Sequence, residues 1–288
     1  MDYLYLTLSV FGSASSSIFG TFYNQKNEGQ KSASIIFSLL QVLTSLAFWM
    51  IMYFFERVFR WEILLYAFPF GVAFAGAVIA TIYAVKTGPI VLTSLILQMS
   101  LIAVTIWGFF FWNTELTWLV GLGLFLIFVS LFLSLYTGKK EKNKINLRWG
   151  LWVSLLFICN AACSILSRTQ QIQYEGKYRG FFMMTAMIVA VVICSIFYLK
   201  SDRKDSSLIV KKSWYFPVAA GGCNGIMNLC IMALAVSSLS PNLIYPVSAV
   251  GSLAVTTAFS ALFLKEKMHW WQWIGIVIGA IAVAILSI

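Results

Sequence analysis

The chain has little charge, and its apolar runs contain no acidic residue. Charged residues make up 10% of the 288 positions, whereas a soluble domain carries about 25%. All ten Asp and Glu residues lie between the apolar runs or at their ends. Because a charge at the bilayer centre costs about 3 kcal/mol, this distribution excludes a soluble domain and indicates a protein with many membrane spans.

The residues that most enzymes and metal sites need are also scarce. The chain has one histidine, no HExxH or GxxxxGK[ST] motif, and no carboxylate pair at membrane depth. Its five cysteines fall inside apolar runs, without the spacing of a zinc site or a disulfide framework. We therefore expect no enzyme activity, no metal and no cofactor.

Apolar runs that are long enough to span a membrane make up most of the sequence. A transmembrane helix needs about 20 mostly apolar residues. Ten runs meet this need, namely 3–23, 32–55, 64–85, 89–112, 116–136, 148–168, 180–199, 214–237, 241–263 and 270–288. The runs are continuous and do not alternate, which disfavours a β-barrel. The sequence predicts an all-α integral membrane protein with ten transmembrane helices.

The basic residues lie in short loops between the predicted spans, where interaction with lipid headgroups explains them. We therefore do not expect binding of nucleic acid.

The two halves of the chain resemble each other weakly. Residues 76–112 and 227–263 align at an offset of 151. In each half a proline, Pro89 or Pro241, opens the next span at a position suited to a helix start. Five spans per half is an odd number, so the second half enters the membrane inverted, as in many secondary transporters. We predict repeats at 1–136 and 149–288, joined by a basic linker at 137–148.

The paired motifs resemble a known family. In the first half they are Tyr83-Ala84, the proline-initiated span 4, and Glu115 followed by glycines. In the second half they are Ala235, Pro241, Tyr245-Pro246, and Lys265-Glu266-Lys267 followed by Gly275. Each half is similar to the EamA-like unit of the drug/metabolite transporter superfamily. The resemblance implies ten helices around a central cavity that is lined mainly by spans 1, 3, 4, 6, 8 and 9. The first half departs from the pattern, with Leu95 where the second half has Pro246.

Polar uncharged side chains are the chemistry available inside the spans. Span 8 carries Gly221, Asn224, Gly225 and Asn228 at helical spacings of three and four, which suit either helix packing or a cavity face. Other polar stripes follow spans 1, 4, 6 and 9. The predicted cavity residues are Ser16, Tyr83, Ser94, Gln98, Asn160, Ser164, Asn224, Asn228, Tyr245 and Ser248. We assign Glu115, Glu266 and Pro246 gating or structural roles.

The function expected from these features is transport by a secondary carrier in the cell membrane. The leading prediction is an exporter or facilitator of a small neutral or zwitterionic metabolite such as an amino acid. A hydrophobic drug or multidrug efflux transporter and a non-transporting sensor or assembly protein are the alternatives. The expected partners are a small-molecule substrate and the lipid bilayer, and both a monomer and a homodimer stay open. Because no carboxylate lies at membrane depth, we expect flux without proton coupling.

Charge and resemblance disagree on orientation. Loops after odd-numbered spans hold fifteen of the 20 Lys and Arg residues. The positive-inside rule then places both termini outside the cytoplasm. The family resemblance implies the reverse, so the two orientations stay open.

Overall fold

The computed structural model describes residues 1–30, 32–112, 117–135, 146–201, 206–263 and 269–286. Within these ranges the chain forms eleven α-helices, one 3-10 turn and no β-strand. The helices are α1 (Asp2–Lys26), α2 (Ala33–Glu56), α3 (Leu64–Thr87), α4 (Ile90–Phe111), α5 (Trp118–Leu135), α6 (Leu147–Gln173), α7 (Arg179–Leu199), α8 (Ser206–Ser213), α9 (Tyr215–Leu234), α10 (Pro241–Phe263) and α11 (Trp270–Leu286). The 3-10 turn, Trp61–Ile63, leads directly into α3.

A helix occupies each of the ten predicted apolar runs. Among the described residues, seven helices are long and apolar enough to cross a membrane, namely α2, α3 with its 3-10 turn, α4, α6, α7, α9 and α10. Helices α5 and α11 are apolar but shorter. Helix α1 has 25 residues, but its serines make it less apolar than the other long helices. The prediction of an all-helical membrane protein is confirmed, and the count of ten spans stays a prediction.

Two details differ from the sequence prediction. Helix α6 begins at Leu147, inside the predicted linker, because the Asn146 side chain caps it by accepting a 2.8 Å hydrogen bond from the Trp149 N–H. Helix α8 was not predicted, since its eight residues are too short and too polar to form a membrane span. Its Ile209 is nevertheless fully buried against α1 and α2, which anchors this short helix to the bundle.

The helices around the centre fall into two groups of three. Helix α1 packs against α9 and α10, and we call these three the α1 group. Helix α6 packs against α3 and α4, and we call these three the α6 group. Helices α2 and α7 pack against each other on one flank, where the largest apolar core includes the buried Trp49, Phe182 and Met187. Helices α5 and α11 pack together on the other flank, and α4 meets α10 between the flanks.

Glycines bring the α5 and α11 helices close together. A Cβ atom added to Gly275 would lie 2.4 Å from the Ser134 Oγ, and one added to Gly123 would lie 2.6 Å from the Leu286 side chain. The Ser130 hydroxyl crosses the same interface and donates a 2.7 Å hydrogen bond to the Gly275 carbonyl. Small residues at such crossings are typical of helix packing in membranes.

Candidate functional site

A cavity of about 260 Å³ lies between the α1 group and the α6 group. Six helices line it, and three of them come from each half of the chain. Its lining consists of Ser9, Ser13, Ser16, Ser17, Phe70, Phe74, Leu97, Gln98, Leu101, Asn160, Cys163, Ser164, Ser167, Asn224, Met227, Asn228, Ile231, Tyr245 and Ser248. No member of this lining is an Asp, Glu, Lys, Arg or His residue.

The α1 group supplies hydroxyls and amides to the cavity. On α9 the Asn228 Nδ2 donates to the Asn224 backbone oxygen at 2.9 Å and to the Asn224 Oδ1 at 3.0 Å. On α1 the Ser16 Oγ accepts a 3.3 Å hydrogen bond from the Gln41 Nε2 of α2. These contacts fix the polar face in place while its remaining donors and acceptors stay available to a ligand.

The α6 group contributes a second polar wall. The Asn160 Nδ2 of α6 donates to the Ser100 Oγ of α4 at 2.5 Å. The Gln98 Nε2 of α4 donates to the Ala249 oxygen of α10 at 3.1 Å. Gln98 therefore joins the two groups near the middle of both α4 and α10.

An apolar wall completes the cavity. The rings of Phe70 and Phe74 on α3 stack with centroids 6.1 Å apart and an angle of 11° between their planes. Met227 and Ile231 line the cavity from α9. A ligand in this space would meet aromatic and aliphatic surface on one side and amides and hydroxyls on the other.

At one end of the cavity, contacts cross between the two groups. We call this end the tied end, and it contains the C-terminal parts of α4 and α6 and the start of α10. The Arg168 guanidinium of α6 lies 5.2 Å from the Trp112 ring centroid and 6.0 Å from that of Tyr245 on α10. Tyr245 also packs against Val104 of α4 and Ala161 of α6.

The opposite end, which we call the split end, has a different set of contacts. In the α6 group the Trp149 Nε1 donates to the Thr93 Oγ1 at 3.0 Å. In the α1 group the Phe22 ring lies 6.1 Å from that of Phe216 and 6.0 Å from that of Phe259. Each of these three contacts joins helices of the same group.

Eight of the ten predicted cavity residues line the cavity: Ser16, Gln98, Asn160, Ser164, Asn224, Asn228, Tyr245 and Ser248. Tyr83 and Ser94 do not. The Tyr83 ring instead stacks on Trp152 at the split end, with centroids 4.5 Å apart. Pro246 is buried inside α10, where it donates no helical hydrogen bond because proline has no N–H. Glu115 and Glu266 lie outside the described residues.

The apolar lining and Arg168 were missed as site features. In so apolar a sequence, cavity-lining apolar residues cannot be distinguished from residues that face lipid. This applies to Phe70, Phe74, Leu97 and Leu101. The predicted span 148–168 ends at Arg168, but α6 continues to Gln173, and the Arg168 side chain is buried with 6% exposure. Its spacing of four from Ser164 was the signal that could have found it. The described residues hold no group of three or more potential metal ligands among His, Cys, Asp and Glu.

Comparison with known proteins agrees with this architecture. Residues 147–288 match the model of the EamA-like transporter family. This half of the chain belongs to the EamA-like transporter family. The resemblance predicted from the sequence is thereby confirmed, with its place in the drug/metabolite transporter superfamily. The family indicates a membrane transporter and is typically not enzymatic.

Solved structures share the fold over the whole chain. Among 28 matching chains, a protein known by crystal structure superposes with a TM-score of 0.74 at 9% sequence identity, covering 99% of this chain and 97% of the other. At this identity the match shows the fold alone. No curated protein matches the sequence.

Proposed function

We propose that this EamA-like protein is a secondary transporter of the cell membrane that exports or facilitates a small neutral or zwitterionic metabolite, such as an amino acid. The observation that carries the proposal is the cavity, which helices from both halves line with uncharged polar side chains. Polar residues at membrane depth mark substrate pathways in membrane proteins. In secondary transporters this pathway lies at the interface between two repeats.

The helix packing supports the predicted inverted repeat. Exchanging α1–α5 with α6, α7, α9, α10 and α11 in order turns each main contact into another main contact or into itself. The α1–α9 contact becomes α6–α3, and α1–α10 becomes α6–α4, while α2–α7, α4–α10 and α5–α11 map onto themselves. We infer two five-helix repeats related by a pseudo-twofold axis, with α8 as an insertion.

Individual close approaches follow the same exchange. A Cβ on Gly12 of α1 would lie 3.2 Å from Met227 of α9, and one on Gly76 of α3 would lie 2.9 Å from the Cys159 sulfur of α6. Met227 and Gly76 differ by the same 151 positions that the sequence repeat predicts. Gln98 and Ala249, which share a hydrogen bond, are separated by 151 positions as well. Related positions in direct contact are expected beside a twofold axis.

The cavity favours a small metabolite over the runner-up, a hydrophobic drug. Its volume of about 260 Å³ is below the roughly 300–1,000 Å³ of pockets for drug-sized ligands. The aromatic pair Phe70 and Phe74 favours a substrate with an apolar part, and this pair is the feature that also fits a hydrophobic drug. The amides of Asn160, Asn224 and Asn228 would have no role with a wholly apolar ligand.

Transport by the purified chain in proteoliposomes tests the proposal. We expect counterflow of at least one labelled compound from a panel of the twenty amino acids and small neutral metabolites. Cationic dyes and other multidrug probes form the second panel. Flux in the dye panel alone would favour the drug transporter. Binding without flux in either panel would contradict transport and favour a sensor. The Tyr83→Phe variant, changed outside the cavity, is the matched control and should keep normal flux.

A further inference from the structure

The α6 helix carries a charged residue directly beyond the cavity lining. Asn160 and Ser164 line the cavity, and Arg168 follows Ser164 by the same spacing of four residues. Residues four apart lie on one face of a helix. Arg168 is therefore one turn further along the cavity face, at the tied end, and it is 94% buried because its exposure is 6%.

The surroundings of Arg168 stabilise its charge without neutralising it. Its guanidinium carbon lies 5.2 Å from the Trp112 ring centroid and 6.0 Å from the Tyr245 ring centroid. Aromatic faces attract a cation. The buried Nε has no hydrogen-bond partner. The ion pairs found in the described parts of the chain, Arg60–Glu62 and Lys177–Glu175, are exposed and do not involve Arg168.

A buried guanidinium with an unused donor is suited to an anion. Buried polar groups are normally hydrogen-bonded, and buried charges are normally paired. The planar fork of Arg donors matches a carboxylate in a bidentate geometry. Tyr245 contacts both the cavity and Arg168, so a ligand group that displaces the Tyr245 ring would reach the guanidinium.

We propose that Arg168 is a substrate-binding residue that takes a carboxylate group at the tied end of the cavity. This inference rests on the proposed transport function and narrows its substrate class to zwitterionic amino acids, whose carboxylate Arg168 would bind. The hydroxyls and amide oxygens around Ser13, Asn224 and Asn228 can accept hydrogen bonds from an ammonium group. Phe70 and Phe74 would contact the apolar side chain of such a substrate.

Replacing the cation or the carboxylate tests the site from both sides. The probes are each of the twenty amino acids, its C-terminal amide, and 3-phenylpropionate, which has a carboxylate and no amine. Binding is measured by thermal shift and isothermal titration on the purified full chain in detergent. We expect at least one free acid to bind 10-fold or more tightly than its amide. Arg168→Gln should weaken the acid 10-fold or more and leave the amide unchanged, and Arg168→Lys should give an intermediate result.

The matched control is Arg179→Gln. Arg179 is partly buried, and its Nε donates a 2.9 Å hydrogen bond to the Gln171 Oε1 outside the cavity. This variant should keep the preference for the acid. Should Arg168→Gln fail to fold, the wild-type comparison of acid with amide and the Arg168→Lys variant still decide. Equal binding of acid and amide, or an unchanged preference in Arg168→Gln, would overturn the inference. Flux of neutral metabolites in that case would leave the transport proposal standing, whereas no flux at all would remove the transport proposal.

Discussion

The tied end and the split end of the cavity differ in what their contacts join. At the tied end Arg168 and Tyr245 connect the α6 group to the α1 group. At the split end Trp149 binds Thr93 within one group, and Phe22 contacts Phe216 within the other. Two rigid groups joined at one end and separate at the other can rock about the centre, which is how repeat-based transporters expose a site to alternate sides.

Helix α10 shows the same difference along its own length. Nine of its first ten residues, from Pro241 to Val250, are buried, and none from Leu253 to Phe263 is. The buried part faces the tied end. Pro246 lies in that part, where one missing helical hydrogen bond makes bending easier. Its counterpart in α4, Leu95, keeps the helical N–H, so we expect movement to be concentrated in α10.

The largest expected effect comes from disrupting the split end. A Cβ on Gly88 would lie 2.1 Å from the Trp149 Cδ1, and this indole is buried and hydrogen-bonded. Gly88→Ala should therefore destabilise the packing of α3 and α4 on α6 by about 2–3 kcal/mol, as overpacking does. The thermal unfolding midpoint of the purified chain measures this loss. Gly150→Ala is the control, since its Cβ meets nothing within 4 Å, and it should unfold at or slightly above the wild-type temperature.

The polar face of α9 should have the next largest effect. The Asn224→Ala and Asn228→Ala variants each remove an amide that lines the cavity and a hydrogen bond between the two side chains. A hydrogen bond is worth about 1 kcal/mol, so each variant should lower flux roughly 5- to 10-fold while the protein stays folded. Cys230→Ala changes a buried α9 residue that does not line the cavity and should keep normal flux. Normal transport in both Asn variants would remove this face from the pathway.

An imposed pH gradient should have the smallest effect on flux, because we expect no proton coupling. The cavity lining has no carboxylate and no histidine, and the ordinary pKa of a glutamate lies far below neutral pH. We expect the substrate to equilibrate without a pH gradient, and Glu115→Gln and Glu266→Gln should change flux less than twofold. Flux into proteoliposomes with and without an imposed gradient measures this. Concentrative uptake that needs the gradient and disappears in either variant would make these acids the coupling site.

Features that polar or apolar patterning distinguishes could be predicted from the sequence, whereas the apolar residues of the cavity could not. Long apolar runs predicted all ten long helices, because lipid permits few other structures. The i, i+4 pair Asn224 and Asn228 predicted a cavity face, since amides at membrane depth need an interior. Phe70 and Phe74 could not be predicted, because an apolar side chain that lines a cavity has the same pattern as one that faces lipid.

Ser94 shows a second limit of the sequence. It corresponds to Tyr245 under the 151-residue offset, yet Tyr245 lines the cavity and Ser94 does not. The sequence repeat gives Ser94 and Tyr245 equivalent positions in the two halves. In one conformation of the helices, however, the two ends of the cavity differ, so the two residues have different surroundings. A single sequence cannot indicate which end is closed.

Thiol labelling from each side of the membrane tests most directly whether one end of the cavity is closed. In a chain whose five native cysteines are replaced, Ser17→Cys reports the cavity. Glu28→Cys in the α1–α2 loop reports the split-end side, and Glu175→Cys in the α6–α7 loop reports the tied-end side.

In oriented vesicles, a membrane-impermeant maleimide should label Ser17→Cys only from the side that labels Glu28→Cys. The positive-inside rule predicts that this side is cytoplasmic, whereas the family resemblance predicts the opposite side. Labelling of Ser17→Cys from the Glu175→Cys side alone, or equally from both sides, would contradict a cavity closed at the tied end.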